Sequence, residues 1–386
     1  AVLSVFQPLA SLMRNHKDLR YLVTPANVVW SLAVVAGADA RAAQGPRRPI
    51  GLDAHPGPGW VQRRKPMLVV MVVGETARAA NWGLSGYARQ TTPKLAALAA
   101  QQPLIGFPYA QACGTNTETS VPCLFAPVGR RDYDEARIRG SESLLHLVAR
   151  AGVGVTWRDN QSGCKGTCDG LPTQQVKDIA PPALCAEGRC LDEGLLQGLP
   201  ETLHQLRGTQ LLVLHQLGNH GPSYFRRYPD TFAHFQPACR SDDLRTCTPQ
   251  QIVNAYDNAL LYTDHVLAQL IGQLQAQADA VDSAVVYVSD HGESLGEHNL
   301  FLHGLPYAIA PDVQKQVPML MWFSPGLAAA QALDLGCLRQ RAQQPAAHDH
   351  VFHTLLGLLD VQTALYEPAW DLARPCRGHG RTAGDT

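Results

Sequence analysis

From Pro66 onward, short runs rich in Val, Leu and Met alternate with stretches whose apolar positions recur at helical spacing. Five runs read as strands, at 67–73, 153–157, 211–215, 284–289 and 317–323, and four stretches read as helices, at 92–101, 141–151, 250–278 and 348–359. In 250–278 the apolar residues Ile252, Ala255, Ala259, Leu260, Tyr262, Val266, Leu270 and Leu274 keep close to a 3.6-residue period. Strands alternating with helices predict an α/β fold with a mostly parallel central sheet sandwiched by helices. Upstream the pattern differs. Residues 44–66 are dense in Pro and Gly without periodicity and read as a linker. Residues before them mix apolar side chains (Val5, Phe6, Leu9, Leu12) with basic ones (Arg14, Lys17, Arg20). Two readings stay open there, helices packed on the main domain or an interfacial, membrane-skirting segment.

Composition narrows the class. With 386 residues, 45% hydrophobic, the chain can bury a sizeable core. A formal charge of −1 gives no basic field, so nucleic acid is not expected as a partner. The ten cysteines fall as Cys113/Cys123, Cys164/Cys168, Cys185/Cys190 and Cys239/Cys247, leaving Cys337/Cys376 as a distant fifth pair. Close pairs in loop-like segments read as disulfides in an oxidising compartment. The competing reading is a thiolate zinc site built from Cys164, Cys168, Cys185 and Cys190, with irregular spacing against it. No stretch reaches the roughly 18–20 apolar residues of a membrane span. An oxidised chain with a non-Met start and no export signal is expected to be a fragment of a longer protein.

The candidate chemistry gathers at strand ends, where an open α/β sheet places its ligands. Strand 67–73 runs into Gly74–Glu75–Thr76, strand 211–215 ends on His215 and leads to Asn219–His220–Gly221, and strand 284–289 runs into Asp290–His291. Carboxylate oxygens and imidazole nitrogens are ligands that zinc accepts. His220 and His303 each precede glycine, which lets backbone and ligand approach closely. Singly, Glu75 could be a cap or an ion-pair partner, and either histidine a surface residue. Cys113–Gly–Thr–Asn–Thr–Glu–Thr–Ser–Val–Pro–Cys123 offers four hydroxyls, and spacing alone does not choose a nucleophile among them.

Several motifs together resemble the periplasmic domain of phosphoethanolamine transferases. They are GETAR at 74–78, NWGLSGYARQTTP at 81–93, CGTNTETSVPC at 113–123, GNHGPSYFRRYP at 218–229 and SDHGESLGEHNLFLHGLPYAIAP at 289–311. That family includes the mobile colistin resistance proteins and lies in the alkaline phosphatase and sulfatase superfamily. The resemblance is collinear from about residue 5 to the C-terminus. NHKDLRYLVTPAN at 15–27 is similar to the family's bridging segment after a transmembrane bundle. The implied organisation is a membrane-bridging helical segment at 1–43, a linker at 44–66 and a catalytic domain at 67–386.

Carried over by position, the resemblance implies Thr117 as nucleophile and Glu75, Thr117, Asp290 and His291 as zinc ligands. It implies that His220 and His303 hold the substrate phosphate or a second zinc, that His215 supports them, and that Lys165 contacts the phosphoryl group. Glu293 and Glu297 are expected in supporting roles and His298 at the surface. The Cys113/Cys123 and Cys239/Cys247 pairs match family disulfides, and Cys164/Cys168 a pair found in some members. The implied reaction moves phosphoethanolamine from phosphatidylethanolamine through Thr117 to a lipid A phosphate. It would take place at the periplasmic face of the inner membrane, in a monomer, and would confer resistance to cationic peptides such as colistin. Rival readings are a sulfatase-like or phosphodiester hydrolase of the same superfamily, transfer to a core sugar, or a non-enzymatic zinc-binding domain.

Overall fold

The computed structural model describes residues 47–378. The expected bridging segment at 1–43 and the start of the linker lie outside them. Eight strands form the main sheet: β1 (Met67–Gly74), β2 (Leu104–Gln111), β3 (Gly154–Asp159), β4 (Thr173–Gln175), β5 (Thr209–His215), β6 (Asp282–Ser289), β7 (Gln316–Phe323) and β8 (Ala346–Ala347). Their spatial order is β8-β2-β7-β6-β1-β5-β3-β4. Only β7 runs against the rest, antiparallel to both β2 and β6. The fold is therefore α/β with a mostly parallel sheet. Every residue of β1 and β6 is buried, as strands covered on both faces require.

Five helices matter for the site: α1 (Pro93–Gln101), α2 (Thr117–Leu124), α3 (Leu144–Arg150), α4 (Pro249–Gln275) and α5 (Asp349–Leu359). Val69, Met71 and Val73 of β1 face a core shared with α2, α3 and α5. Leu68, Val70 and Val72 face the opposite core, filled by α4 and the start of α1. The sheet is thus the middle of three layers. Thr248 caps α4 in a capping box with Gln251, which explains where the longest helix starts. No helix among the described residues is long and apolar enough to cross a membrane.

Three strands of the main sheet and several helices, α2 among them, are not expected from the sequence. β2 contains Gly106 and Pro108, both strand breakers. It survives because the register with β7 shifts between Val317 and Met319, so Pro108 and Tyr109 sit in a bulge opposite Pro318. β4 and β8 are too short to show a period. Helix α2 is hidden by its Thr and Ser content and by Pro122. The Pro/Gly-rich stretch packs on the domain, pairing His55–Pro56 with Val361–Gln362, and Trp60 Nε1 donates to the Leu359 carbonyl at 2.8 Å.

Disulfides join Cys113–Cys123, Cys164–Cys168, Cys185–Cys190, Cys239–Cys247 and Cys337–Cys376, and no cysteine is free. The pairing matches the spacing argument and removes the thiolate zinc alternative. Cys239 and Cys247 close the loop that leads into α4, and the Cys239 N–H donates to the Gln251 carbonyl at 2.9 Å. Their bond therefore braces the start of the longest helix.

Candidate active site

Parallel pairing sets the geometry of the site. Gly74 of β1 lies in register with Ser289 of β6, so the residues that follow, Glu75 and Asp290–His291, leave the sheet side by side. The Asp290 N–H donates to the Gly74 carbonyl at 2.9 Å and holds that exit. From the other flank the loop after β5 closes on Glu75. Asn219 N–H donates to the Glu75 carbonyl at 2.9 Å, and Gly218 lies so close that a Cβ there would meet that oxygen at 2.6 Å. Gly218 also has φ +50°, which glycine adopts without strain. Buried Asp192 accepts from the Leu217 and Gly218 N–H groups, each at 2.8 Å, and fixes this loop.

Glu75, Asp290 and His291 each offer a ligand atom, and these atoms all lie within 4.8 Å of one another. All three residues are at most 1% exposed. His291 Nδ1 lies 2.9 Å from the Gly292 carbonyl, a contact that requires the proton on Nδ1 and leaves Nε2 as a donor of electrons. Nε2 lies 3.5 Å from Glu75 Oε1 and 3.4 Å from Asp290 Oδ2. Asp290 Oδ1 accepts from the Thr76 and His291 N–H groups at 3.1 and 2.7 Å, whereas Oδ2 is buried without a hydrogen-bond partner among the described residues. A buried carboxylate oxygen lacking a donor is costly unless a cation meets it. Two carboxylates and one imidazole suit a divalent metal such as zinc.

The electrostatics agree. Burial works against charge on Glu75, yet the hydrogen bond and charge of His291, with His220 and His303 beyond, hold it well below the usual carboxylate range. Burial and then the Glu75 charge push Asp290 up to about 7. Burial opposes a charged His291, but Asp290 and Glu75 raise it to about 9. Two acids that compete for one proton-bearing imidazole make a site that favours added positive charge.

Thr117 opens α2. Asn116 caps the helix, its side chain accepting from the Thr119 N–H at 2.9 Å, and this aims the first helical side chain at the cluster. Thr117 Oγ1 donates to Glu75 Oε2 at 3.0 Å and lies 3.4 Å from His291 Nε2. Neighbouring hydroxyls are engaged elsewhere: Thr115 Oγ1 donates to the Leu305 carbonyl at 2.6 Å, and Ser120 Oγ accepts from the Gly114 N–H at 3.0 Å.

The His303 ring centroid lies 4.2 Å from that of His291 and 6.0 Å from that of His220. His303 Nδ1 contacts Glu293 Oε2 at 3.1 Å. His220 and His303 line a polar cleft of about 690 Å³ beside the cluster. Cys190 lines the same cleft, whereas Cys239 and Cys247 belong neither to its walls nor to the metal cluster. His215 is buried, and its Nδ1 contacts Asp159 Oδ1 at 2.8 Å. Lys165 does not line this cleft; its Nζ lies 2.9 Å from Oε1 of Glu118, the residue after Thr117, and 2.6 Å from Ser162 Oγ. Glu297 is tied to the guanidinium of Arg78 at 2.6 Å, and His298 is exposed.

Sequence reasoning missed four contributors. Asp159 orients His215, and Gln161 Nε2 donates to Glu75 Oε2 at 2.8 Å. Thr76, at φ +60°, donates its hydroxyl to Glu75 Oε1 at 2.5 Å. His348 is buried between Cys113 N, at 3.1 Å, and the Ser289 carbonyl, at 2.9 Å, and so ties the segment that carries Thr117 to the end of β6. The one available signal was that Asp159, like Asp290, ends an apolar strand.

Residues 67–361 match the Sulfatase family model, and residues 1–40 match that of Phosphoethanolamine transferase EptA/EptB. Phosphoethanolamine transferase EptA of Escherichia coli (strain K12) is 43% identical over 376 residues, 96% of this chain and 67% of that protein. Phosphatidylethanolamine transferase Mcr-1 of Escherichia coli is 40% identical over 361 residues, 91% of this chain and 64% of that protein. The chain spans about two thirds of the length of these relatives. The soluble domain of lipooligosaccharide phosphoethanolamine transferase A from Neisseria meningitidis superposes with a TM-score of 0.82 at 42% identity, covering 87% of this chain and 100% of that domain. Sequence and fold thus lead to the same place as the residues at the strand ends: this chain belongs to the phosphoethanolamine transferases, enzymes of the alkaline phosphatase and sulfatase superfamily.

Proposed function

We propose that the protein transfers phosphoethanolamine from phosphatidylethanolamine to a lipid A phosphate through a covalent adduct on Thr117, with zinc held by Glu75, Asp290, His291 and Thr117. The observation that carries this reading is the Thr117 hydroxyl, 3.0 Å from Glu75 Oε2 and 3.4 Å from His291 Nε2 at the start of a helix. Bound zinc would supply positive charge that favours the ionised hydroxyl and offsets charge on the phosphoryl oxygens. In the first step the Thr117 Oγ1–P bond forms as its hydroxyl proton leaves, the bond from phosphorus to the diacylglycerol oxygen breaks, and that oxygen takes up the proton that Thr117 released. Glu75 Oε2 already accepts the hydroxyl proton and orients Oγ1. In the second step an oxygen of the acceptor phosphate attacks phosphorus, the Oγ1–P bond breaks, and Thr117 is reprotonated. The N-terminal end of α2 adds its partial positive charge where the phosphoryl group would sit. His220, His303 and Lys165 are assigned to the phosphoryl oxygens or to a second zinc, and His215 to their support.

The match of residues 1–40 to the EptA/EptB model supports a membrane-anchored enzyme facing the periplasm, where disulfides form. We assign it a monomeric state and a product that weakens binding of cationic peptides by removing negative charge. The test is a mass-spectrometric search for a phosphoethanolamine adduct after natural full-length protein meets phosphatidylethanolamine. The adduct is expected on the peptide containing Thr117. Thr117→Ala should lose adduct and transfer together, by more than about 1000-fold, because one side chain serves as nucleophile and ligand. Thr117→Ser should keep part of both. An adduct mapped to another hydroxyl, or hydrolysis faster than transfer with lipid A present, would overturn the reading.

A further inference from the structure

The cleft beside the cluster continues past His220 to a second group of cations. Arg227 lies on its wall, 8% exposed, and its Nε donates to the His220 carbonyl at 2.7 Å. Its Nη1 is buried and meets no hydrogen-bond acceptor among the described residues. A buried guanidinium N–H without an acceptor is costly, as the donor-less Asp290 Oδ2 is; here the missing partner is an acceptor, and an anionic oxygen meets a guanidinium best. Nearby Asp192 does not serve. Its two oxygens are occupied by the side chain of Asn160 and by the Leu217 and Gly218 N–H groups.

Like charge is gathered at the same wall. Burial and then the charge of Arg189 bring Arg227 down to about 10, so the two guanidinium groups feel each other. Arg189 and Lys177 line the cleft as well, and both are exposed. Arg189 sits in the short hairpin whose strands Cys185–Ala186 and Arg189–Cys190 are closed by the Cys185–Cys190 disulfide. That hairpin holds a flexible cation in place, next to a buried one. Two acids also line the cleft and are engaged: Asp159 Oδ1 lies 2.8 Å from His215 Nδ1, and Asp242 accepts from Ser223 Oγ at 2.6 Å and lies 3.8 Å from Arg226 Nε.

We propose that Arg227 and Arg189, with Lys177 at the rim, form the subsite that receives the acceptor's phosphate monoester. The inference rests on the transferase reading and deepens it by naming how the acceptor is held. Charge favours the acceptor over the donor. A phosphate monoester carries about −1.5 to −2 near pH 7, whereas the donor headgroup is a phosphodiester with one negative charge and an ammonium group. Three cations suit the first and repel the ammonium of the second. Position agrees too, since Arg227 is fastened to His220, which shares the cleft with His303, and the His303 ring lies against that of His291, with centroids 4.2 Å apart. A guanidinium can hold phosphate oxygens in a fixed geometry and leave one free to attack.

The test uses natural full-length protein, zinc-loaded and in detergent, with Arg189→Ala and Arg227→Lys variants of verified zinc content and thermal midpoint. Two readouts are taken: steady-state KM for lipid A against the burst of diacylglycerol from phosphatidylethanolamine, and direct binding of glucosamine 1-phosphate by titration calorimetry. Loss of one charge-assisted contact is expected to raise the acceptor KM and the sugar-phosphate Kd about 10-fold or more, while the burst keeps its amplitude. Arg189→Ala decides the matter if Arg227→Lys does not fold, because Arg189 is exposed. An unchanged acceptor KM and Kd in Arg189→Ala overturns the subsite. A burst that falls in parallel also overturns it, because the cations would then serve the donor. If the parent protein shows no adduct or transfer but the variants still lose sugar-phosphate binding, the transferase reading fails and the phosphate subsite stands.

Discussion

His291 and His348 are both buried and both lie at the end of β6, yet the protein treats them in opposite ways. Burial alone drives an imidazole toward its neutral form. At His348 that cause prevails and brings the group down to about 4, with His350 and His353 on α5 also at about 4. At His291 the same penalty is overcome by Asp290 and Glu75, and the group rises to about 9. The difference lies in the neighbours. His348 is satisfied by a backbone N–H and a backbone carbonyl, so it works as a neutral strut. His291 faces two carboxylates, one with an oxygen that meets no hydrogen-bond donor among the described residues. One arrangement is satisfied by the fold itself, and the other is a cluster that could hold a cation.

The largest expected effect comes from breaking the second arrangement. Asp290→Ala removes the orphaned oxygen together with the carboxylate that raises His291. Zinc affinity should fall by more than about 100-fold, beyond the 10–100-fold typical of losing an outer partner, and transfer should fall with it. Metal analysis after dialysis against a graded chelator measures this. Retention of tight zinc by the variant would remove Asp290 from the ligand set. A smaller effect is expected from Gly218→Ala, which touches no ligand atom. Its Cβ would meet the Glu75 backbone oxygen at 2.6 Å from a φ of +50°, so about 1–3 kcal/mol of stability should be lost. Because the clash falls on Glu75, zinc should also bind more weakly. Urea denaturation and zinc competition on the same samples check both, and a normal protein on both counts would show that the loop can yield.

The same contrast explains what could be read in the chain beforehand. β1 and β6 stand out because burial on both faces makes them continuous apolar runs, and Glu75 and Asp290–His291 stand out as polar residues where those runs stop. β2 does not, since its bulge at Pro108 is stabilised by pairing with β7 and by nothing local. The hydroxyl facing Glu75 could not be chosen by spacing, because the choice depends on Asn116 capping α2 and on Thr115 finding the Leu305 carbonyl. Asp159, His348 and Arg227 were silent for the same reason. Their partners lie 56, 235 and 7 residues away in sequence, and only the folded chain brings them together. The family resemblance reached the residues that gather at the strand ends and left out those that hold them in place.

The last test, read as a difference between two proteins, concerns the neutral side of the comparison. His348 has a pKa near 6.5 in an unfolded chain and about 4 in the fold. Between those values the unfolded chain binds a proton that the folded protein refuses. Stability is therefore full above about pH 6.5 and declines as pH falls toward 4, where the folded ring begins to protonate as well. At about 1.36 kcal/mol per pKa unit the decline reaches about 2–3 kcal/mol for this one ring. His348→Gln cannot titrate. It can keep a donor to the Ser289 carbonyl but loses the acceptor for Cys113 N, which should cost about 1–2 kcal/mol at pH 7.5. Lowering the pH to 4.5 should then shrink or reverse the gap between wild type and variant, because only the wild type carries the titrating ring. Zinc release on acidification affects both proteins and cancels in the difference. Urea midpoints at the two pH values measure it, and a gap that stays constant would show that burial of His348 does not set the acid sensitivity.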